Sequence, residues 1–384
     1  MTMRVLHVVP TYLPVTRYGG PIYSVHGLCK ALVKQGVEVS VLTTNVDGPG
    51  VSDVPIGTRV DMDGVGVWYY PSNYLRRLYF SASMLKDLPE RFRKIDLLHT
   101  HSIFLWPTTA TARLARARGI PYVVSPRGML VRELVERKNK YIKKAWLKLF
   151  ERANLEGAAA IHVTSQGEAD AAAQFGFRLP PLLDIANGLD RPTLAVGSAV
   201  RAEFTEHGPY LAYLGRVSWK KGLDRLIEAL QHLPDVRLLI AGNDDENLVP
   251  KLTSQAEALG LLGRVDFLGH LSGERKRALL QNAEMLVLPS HHENFGNVVL
   301  EAMSESCPVV VTQSVGAAKV VLKANAGLVV KGNADSLADA IRQLKADPAR
   351  RAEMGGRGAR IVSEEYGWDT IASTMFKAYQ EIVE

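Results

Sequence analysis

The stretch that decides the fold is Leu-Pro-Ser-His-His-Glu-Asn-Phe-Gly-Asn-Val-Val-Leu-Glu-Ala-Met, residues 288–303. It follows the short apolar run Met285 to Leu288, which is typical of a buried strand, and it ends in apolar residues at helical spacing. The sequence therefore predicts a strand, a loop and a helix in succession. In open α/β sheets, ligands bind at the carboxyl ends of such strands.

Two glutamates flank the start of the predicted helix. Glu293 precedes the helix and Glu301 follows eight residues later, about one turn inside it, so both carboxylates can face the same crevice. Asn294, Phe295 and Gly296 complete the loop between them. Backbone N–H groups at a helix start suit the oxygens of a sugar or a phosphate. The spacing alone also fits a plain helix with one solvated glutamate.

A second pattern lies about eighty residues upstream. Gly215 and Arg216 follow a predicted strand, and Lys221 precedes a predicted helix. Two kinds of cation in a glycine-bounded loop suit a diphosphate, because Arg binds in a fork and Lys acts as a compact charge. We therefore predict that Arg216 and Lys221 bind a leaving diphosphate, with Lys220 as a neighbour.

Together, the Glu-x7-Glu pair and the cationic loop resemble the retaining GT-B glycosyltransferases of family 4, over nearly the whole chain. The resemblance implies two Rossmann-like α/β domains that face a central cleft, with a last helix crossing back to the first domain. It implies that Glu293 contacts the donor sugar and that Glu301 holds the nucleotide ribose. It also implies retention at the anomeric carbon by a front-face mechanism.

The chain length predicts two domains, because 384 residues exceed the usual size of one hydrophobic core. We predict an N-terminal Rossmann-like acceptor domain over residues 1–190, which also takes up the closing helix 368–384. A linker over residues 191–207 and a C-terminal donor domain over residues 208–367 complete the chain. Asn187-Gly188-Leu189-Asp190 resembles the family's signature at the passage between domains.

Three features of the first half are candidate substrate contacts. Gly19 and Gly20 open a predicted helix, where bare backbone can approach a phosphate or a sugar, although a plain turn fits as well. His101 closes a short strand, and the resemblance places it beside the reacting sugar. Arg127 follows another strand, where a guanidinium can hold a carboxylate or a phosphate. Similar sequences make Arg127 an acceptor-side candidate.

A helix predicted from about Val131 to Leu155 combines basic and apolar residues. Ile142, Trp146, Leu147 and Phe150 form an apolar stripe with cationic flanks, the profile of a helix that lies on an anionic bilayer. An amphipathic helix packed on the domain core is the alternative. The cations expected to face lipid are Arg132, Lys138, Lys140, Lys143, Lys144 and Lys148.

Composition excludes several other classes of protein. Residues 1–200 carry 25 Lys and Arg against 16 Asp and Glu, but no nucleic-acid module accompanies this basic excess. Cys29 and Cys307 lie in apolar patterns, which predicts buried thiols. Asp61-Met62-Asp63 is expected to be a charged turn, so we predict neither a metal nor another cofactor. With no signal peptide or long apolar run, we expect a cytoplasmic protein with peripheral contact to the inner face of the membrane.

The expected reaction is transfer of a sugar from a UDP- or GDP-linked donor to a hydroxyl of a lipid-linked or glycan acceptor in polysaccharide biosynthesis. A nucleotide-sugar epimerase on the same two-domain plan and a noncatalytic protein that binds an anionic surface are the alternatives. A glycoside hydrolase would also use two carboxylates. It is disfavoured because Glu293 and Glu301 bracket a helix start beside a cationic loop.

Overall fold

The computed structural model describes residues 2–17, 19–137, 139–190 and 194–384. The predicted lipid contact Lys138 and residues 191–193 of the predicted linker lie outside this described part. The chain forms two compact units, Met1–Gly188 with Trp368–Glu384, and Leu189–Gly367. Within the described ranges, no helix is both long and apolar enough to cross a membrane.

The first unit is built on a mixed sheet of eight strands. A short antiparallel hairpin, β3 with β4, stands apart from it. The strands are β1 (Arg4–Val8), β2 (Glu38–Thr44), β3 (Val46–Asp47), β4 (Gly50–Val51), β5 (Arg59–Met62), β6 (Val65–Tyr70), β7 (Leu97–His101), β8 (Tyr122–Ser125), β9 (Ala160–Val163) and β10 (Leu182–Asp184). The sheet order is β10-β9-β8-β7-β1-β2-β6-β5, parallel except for the β5 edge. The predicted charged turn at Asp61-Met62-Asp63 is correct only for Asp63, because Asp61 and Met62 belong to β5.

Helices cover both faces of this sheet. They are α1 (Gly20–Lys34), α2 (Ala82–Arg91), α3 (Trp106–Arg118), α4 (Arg132–Arg137), α5 (Lys140–Trp146), a π-helix (Leu147–Glu151), α6 (Arg152–Glu156), α7 (Gln166–Ala173) and the C-terminal helix (Trp368–Val383), with a 3₁₀ turn at Arg76–Leu78. Successive strand residues point to opposite faces. Val5 therefore joins one hydrophobic cluster and Leu6 the other. A strand buried on both faces is continuously apolar, as parallel sheets require.

The C-terminal helix belongs to the first unit, which confirms the predicted crossing. Trp368 packs so closely on Gly27 of α1 that a Cβ at Gly27 would overlap its indole ring. Farther along, the Tyr379 hydroxyl is 2.5 Å from Nδ1 of His99 on β7. The last helix therefore helps to enclose one face of the sheet formed by the chain's beginning.

The single helix predicted from Val131 to Leu155 is wrong. The segment is broken into α4, α5, the π-helix and α6, and Asn139 at the first break has a left-handed φ of 56°. Asn tolerates this conformation better than most residues. The predicted apolar stripe is divided as a result. Leu147 is buried, whereas Ile142 is 67% exposed.

The second unit is built on a six-stranded parallel sheet. Its order is β13-β12-β11-β14-β15-β16, from β11 (Tyr210–Leu214), β12 (Arg237–Ala241), β13 (Val265–Gly269), β14 (Met285–Leu288), β15 (Val309–Thr312) and β16 (Gly327–Val330). Its helices are α8 (Ser198–Thr205), α9 (Leu223–Ala229), α10 (Val249–Ala258), α11 (Gly273–Asn282), α12 (Asn297–Ser304), α13 (Ala318–Ala324), α14 (Ala334–Lys345) and α15 (Pro348–Glu365), with 3₁₀ turns at Trp219–Lys221 and Leu230–His232.

Each sheet has a point at which the strand order reverses direction. It lies between β1 and β7 in the first unit and between β11 and β14 in the second. The loops that leave two such neighbouring strands diverge, which opens a crevice at their carboxyl ends. These two places are therefore where ligand-binding residues are expected.

Candidate active site

In the second unit, the cationic loop leaves β11 and the glutamate loop leaves β14, so both start at the reversal point. Backbone contacts hold the two loops together. The His291 N–H donates to the Lys220 carbonyl at 2.7 Å, and a Cβ at Gly222 would overlap the Pro289 carbonyl oxygen. Gly222 has a φ of 62°, which also favours glycine. Glycine is thus required at position 222 because the cationic loop packs against the glutamate loop at this point.

Gly215 has a comparable role at the start of the cationic loop. Its φ is 146°, and its N–H donates to the carbonyl of Ala241 at 2.9 Å. A Cβ at Gly242 would overlap the carbonyl oxygen of Gly215. The loops after β11 and β12 therefore meet backbone to backbone, which leaves the Arg216 side chain half exposed, 3.9 Å from Asp245.

Lys221 and Glu293 form the central contact of the site. The Lys221 ammonium donates to Glu293 Oε2, and the side chains are only 14% and 20% exposed. Lys220, next in the chain, has its pKa lowered by burial and by the nearby Arg216 guanidinium. A carboxylate and three cations are therefore concentrated at the ends of β11 and β14.

Glu301 lies on α12 and pairs with a residue that the sequence analysis missed. Its carboxylate is 3.0 Å from the ammonium of Lys276 on α11. Among the described residues, Glu301 forms an ion pair with neither Arg216 nor Lys221, whose ion-pair partners are Asp245 and Glu293. Lys276 gave no signal in the sequence because α11 reads as an ordinary amphipathic helix, and only tertiary packing brings it to α12.

The three residues between the glutamates have different environments. Gly296 is the N-cap of α12 with a φ of 89°, and Phe295 is buried, so Phe295 can offer a ligand only its backbone. Asn294 is half-buried. A Cβ at Gly316 would overlap the Asn294 carbonyl oxygen, and the Gly316 N–H donates to the Glu293 carbonyl at 3.0 Å. The turn around Gly316 thus supports the glutamate loop.

In the first unit, four buried imidazoles gather where β1 meets β7. We call this group the histidine cluster; its members are His7, His99, His101 and His162. His101 Nε2 is 2.9 Å from His7 Nδ1, and His101 Nδ1 is 3.1 Å from Arg127 Nη2. The predicted substrate contact His101 therefore has protein partners at both ring nitrogens.

The partners at each end of the cluster fix its protonation. Arg127 can only donate, so His101 accepts at Nδ1, carries its proton on Nε2 and donates to His7. In the other branch, His162 donates from Nε2 to the Ile185 carbonyl at 2.9 Å and accepts at Nδ1 from the Ser125 hydroxyl at 2.8 Å. Ser125 in turn accepts from His99 Nε2 at 2.7 Å, which leaves His99 Nδ1 to accept from Tyr379.

All four imidazoles are neutral in this network. Burial lowers the pKa of His7 and of His162 to about 3, with Arg127 adding to the effect. Burial also holds the pKa of His99 and of His101 well below the ordinary value. Nitrogens of His7, His99 and His101 lie within 4.8 Å of one another, a spacing that a metal could bridge. The hydrogen bonds and the adjacent guanidinium instead favour a neutral network.

Arg127 is held by the first unit itself. Its φ is 54°, and its guanidinium donates to Asn187 Oδ1 at 3.0 Å as well as to His101. Gly19, with a φ of 71°, precedes α1, which begins at Gly20. A Cβ at Gly19 would meet open space, so its backbone conformation rather than crowding favours glycine there.

Two family models match this chain, each over one unit. The glycosyl transferase 4-like domain matches residues 19–188, and the glycosyl transferases group 1 model matches residues 200–360. The D-inositol 3-phosphate glycosyltransferase of Xylanimonas cellulosilytica is 29% identical, covering 99% of this chain and 96% of its own. The chain is a GT-B glycosyltransferase.

Solved structures agree on the GT-B fold. The sucrose-phosphate synthase of Thermosynechococcus elongatus superimposes with a TM-score of 0.80 at 22% identity, covering 99% of this chain and 98% of its own. Anabaena HepE in complex with UDP and glucose gives 0.75 at 20% identity, covering 99% and 100%. The predicted fold class is thereby confirmed for this GT-B glycosyltransferase.

The cations predicted to face lipid are not equivalent in this glycosyltransferase. Arg132 donates to the Gln174 carbonyl at 2.8 Å, Lys143 to the Leu134 carbonyl at 2.7 Å, and Lys144 pairs with Glu136. The Lys143 ammonium therefore has a partner within its own unit, and contact of these cations with lipid stays a prediction. Lys140 and Lys148 are exposed, as expected.

Proposed function

We propose that this glycosyltransferase moves a sugar from a UDP- or GDP-linked donor to a hydroxyl of a lipid-linked acceptor in polysaccharide biosynthesis, with retention of anomeric configuration. The observation that carries the proposal is the Lys221–Glu293 contact beside Arg216, at the reversal point of the second sheet. A glutamate can accept hydrogen bonds from sugar hydroxyls, and the adjacent cations match a diphosphate.

The cations have a chemical task in this reaction. Cleavage of the glycosyl bond leaves negative charge on the β-phosphate, and fixed positive groups already in place stabilise that charge in the transition state. Arg216 and Lys221 would supply them, while Glu301 would hold the ribose. We propose that no divalent metal is needed, because these two cations neutralise the negative charge of the leaving phosphate, as a metal ion would otherwise do. Activity unchanged by excess EDTA is the expected result.

We place the binding site for the acceptor in the first unit. Arg127 and His101 lie at the carboxyl ends of adjacent strands, where the acceptor domain would present its reacting hydroxyl. Exposed Lys140 and Lys148 lie in the same segment as exposed Tyr141 and Ile142, a composition suited to an anionic bilayer surface. Peripheral attachment at the cytoplasmic face of a membrane would bring a lipid-linked acceptor within reach.

A donor panel tests the reaction class. Thermal unfolding is measured with UDP-, GDP- and ADP-sugars, and a ligand at 100 times its Kd stabilises the native state by about 2.7 kcal/mol. We expect one nucleotide class to stabilise the wild type and to stabilise Glu293→Gln less. Transfer products are then analysed by NMR for retained anomeric configuration. No stabilisation by any nucleotide sugar would overturn the proposal.

Two alternatives give different outcomes in the same preparations. A nucleotide-sugar epimerase would interconvert donor isomers without an acceptor, whereas a transferase leaves the donor's ring configuration unchanged. A noncatalytic binder of anionic surfaces would keep its affinity for anionic vesicles after Arg216→Ala and Glu293→Gln and would turn over no donor. If the wild type transfers sugar and Glu293→Gln does not, both alternatives are excluded.

A further inference from the structure

The first unit contains a cavity of about 420 Å³ between α2, α3 and the segment formed by α5 and the π-helix. Apolar and aromatic side chains dominate its walls, including Leu88, Trp106, Leu114, Trp146 and Phe150. Its volume falls in the range of small-molecule sites, about 300–1,000 Å³. The residues proposed above for sugar transfer do not line it.

A single buried carboxylate turns the polar atoms of the walls away from the cavity. Glu151, 3% exposed, accepts from the Thr109 hydroxyl at 2.6 Å and from the Trp146 indole N–H at 3.0 Å. It also accepts the Phe104 N–H at 2.8 Å. A buried carboxylate is stable only when it is hydrogen-bonded in this way. Thr109 and Trp146 are thereby oriented with their apolar parts available to the cavity.

Arg113 is the charged residue of the wall. It is exposed, so its guanidinium can stay in water while its aliphatic stem borders the cavity. The walls therefore offer hydrocarbon and ring surface to a bound molecule. An apolar ligand fits this chemistry, whereas a sugar would leave its hydroxyls unpaired.

The cavity extends along the length of α3. It follows α3 from Trp106 to Ala117, which spans about 16 Å at 1.5 Å per residue. Trp106 lies at the carboxyl edge of the sheet, five residues after His101 at the end of β7. A linear apolar molecule in the cavity would therefore have one end at the edge that holds the candidate acceptor residues.

The surroundings of the cavity are unusually apolar and basic. Six of the fourteen exposed large hydrophobic side chains of the described residues fall in α2, just before the 3₁₀ turn that precedes it, or in the segment formed by α5 and the π-helix. They are Tyr74, Leu75, Leu85, Tyr141, Ile142 and Leu149. Arg77, Lys140 and Lys148 are exposed in or beside the same segments. This combination complements a molecule with a hydrocarbon chain and an anionic head.

We propose that the cavity holds the hydrocarbon chain of the lipid-linked acceptor, with the polar head at the carboxyl edge of β7. The proposal rests on the proposed function, because it assumes an acceptor with such a chain. The cavity then raises the affinity for a lipid-linked acceptor over that for the same glycan in free form.

Binding of n-dodecyl phosphate, below its critical micelle concentration, tests the cavity in the full chain. Ala110→Phe fills the cavity from α3, and Ala173→Phe places the same side chain at an exposed position of α7 as a matched control. We expect equal binding by the wild type and Ala173→Phe, and at least tenfold weaker binding by Ala110→Phe. Unchanged binding by Ala110→Phe, or displacement by inorganic phosphate, overturns the proposal.

A second variant tests the orientation and does not depend on filling the interior. Ala117 is exposed at the far end of the cavity, so Ala117→Trp shortens the cavity without crowding the core. We expect tenfold weaker binding of dodecyl phosphate and unchanged binding of hexyl phosphate. Equal weakening of both ligands, or of neither, contradicts the assigned direction.

Donor turnover in the same preparations separates this proposal from the proposed function. If a nucleotide sugar is turned over with a water-soluble acceptor and dodecyl phosphate does not bind, the cavity proposal alone fails. If dodecyl phosphate binds but no nucleotide sugar is turned over, the proposed function fails and the acceptor role of the cavity fails with it. Tighter binding of acceptors with longer chains, lost in Ala110→Phe, supports both.

Discussion

Replacing Lys221 with methionine removes the cation that contacts Glu293 and that we assign to the leaving phosphate. The two side chains are 14% and 20% exposed, so the free energy lost with this ion pair should fall between the values for exposed and for fully buried pairs. Exposed pairs contribute about 0–1 kcal/mol, and breaking a fully buried pair costs about 3–5 kcal/mol. We therefore expect Lys221→Met to lower the free energy of unfolding of the second unit by about 2 kcal/mol.

The catalytic effect should be larger than this structural one. Removing a preorganised group that stabilises developing negative charge lowers kcat by about 100- to 1,000-fold. Both quantities are measured for Lys221→Met, Glu293→Gln and the double variant, by urea unfolding and by the rate of sugar transfer. In the double variant no carboxylate is left unpaired, so stability should return to within about 1 kcal/mol of the wild type. Activity should remain lost.

The exposed pair Lys323–Glu365 in the same unit provides a matched control. Its side chains are 57% and 43% exposed, so Lys323→Met should leave both stability and kcat essentially unaltered. Recovery of activity together with stability in the double variant at Lys221 and Glu293 would refute the reasoning. The pair would then be a structural contact only.

Three further predictions concern acidity, the donor and the backbone. Because the folded-state pKa values of the histidine cluster lie below the ordinary value, the stability that these imidazoles contribute is complete above pH 6.5 and is lost as the pH falls. Between pH 7.5 and 5.5, urea unfolding should show a loss of about 1.4 kcal/mol per imidazole; a flat profile contradicts a neutral network. Lys276→Ala should raise the donor KM about tenfold at constant kcat, because Glu301 loses the group that orients it. Lys276→Arg should retain most of the affinity, and a lower kcat at constant KM would exclude a role in ribose binding. Gly242→Ala should cost more than about 2 kcal/mol and reduce transfer, because its Cβ overlaps the Gly215 carbonyl oxygen. Gly260→Ala, at a position whose φ of 69° is also positive but which has open space around it, should cost only about 1 kcal/mol, and equal losses would refute the contact.

Local patterns in the sequence predicted the elements that carry the site. Tyr210–Leu214 and Met285–Leu288 are strands because short, bounded apolar runs belong to sheets buried on both faces. Trp368–Val383 was predicted as the last helix with the bounds that the structure has. The Glu-x7-Glu spacing and the glycine-bounded cations pointed to the loop and helix that carry Glu293 and Glu301.

The segment after Val131 was predicted less well. The spacing of apolar residues in the sequence is the same whether or not one residue adopts a left-handed conformation. It therefore gave no sign of the break at Asn139. The π-helix that directs Glu151 inward was equally invisible, because its stability depends on Thr109, Trp146 and Phe104. These partners become available only once α3 has packed beside the segment.

The sequence by itself determined the α/β alternation, the two-unit plan of the GT-B fold and the residue types at the ends of β11 and β14. Tertiary structure alone decided which side chains meet. His7 joins His101 across 94 residues, and Lys276 reaches Glu301 from a neighbouring helix. Periodicity and turn chemistry act over a few residues and are therefore written in the local sequence. Contacts between distant residues depend on strand order and helix packing, which no local pattern specifies.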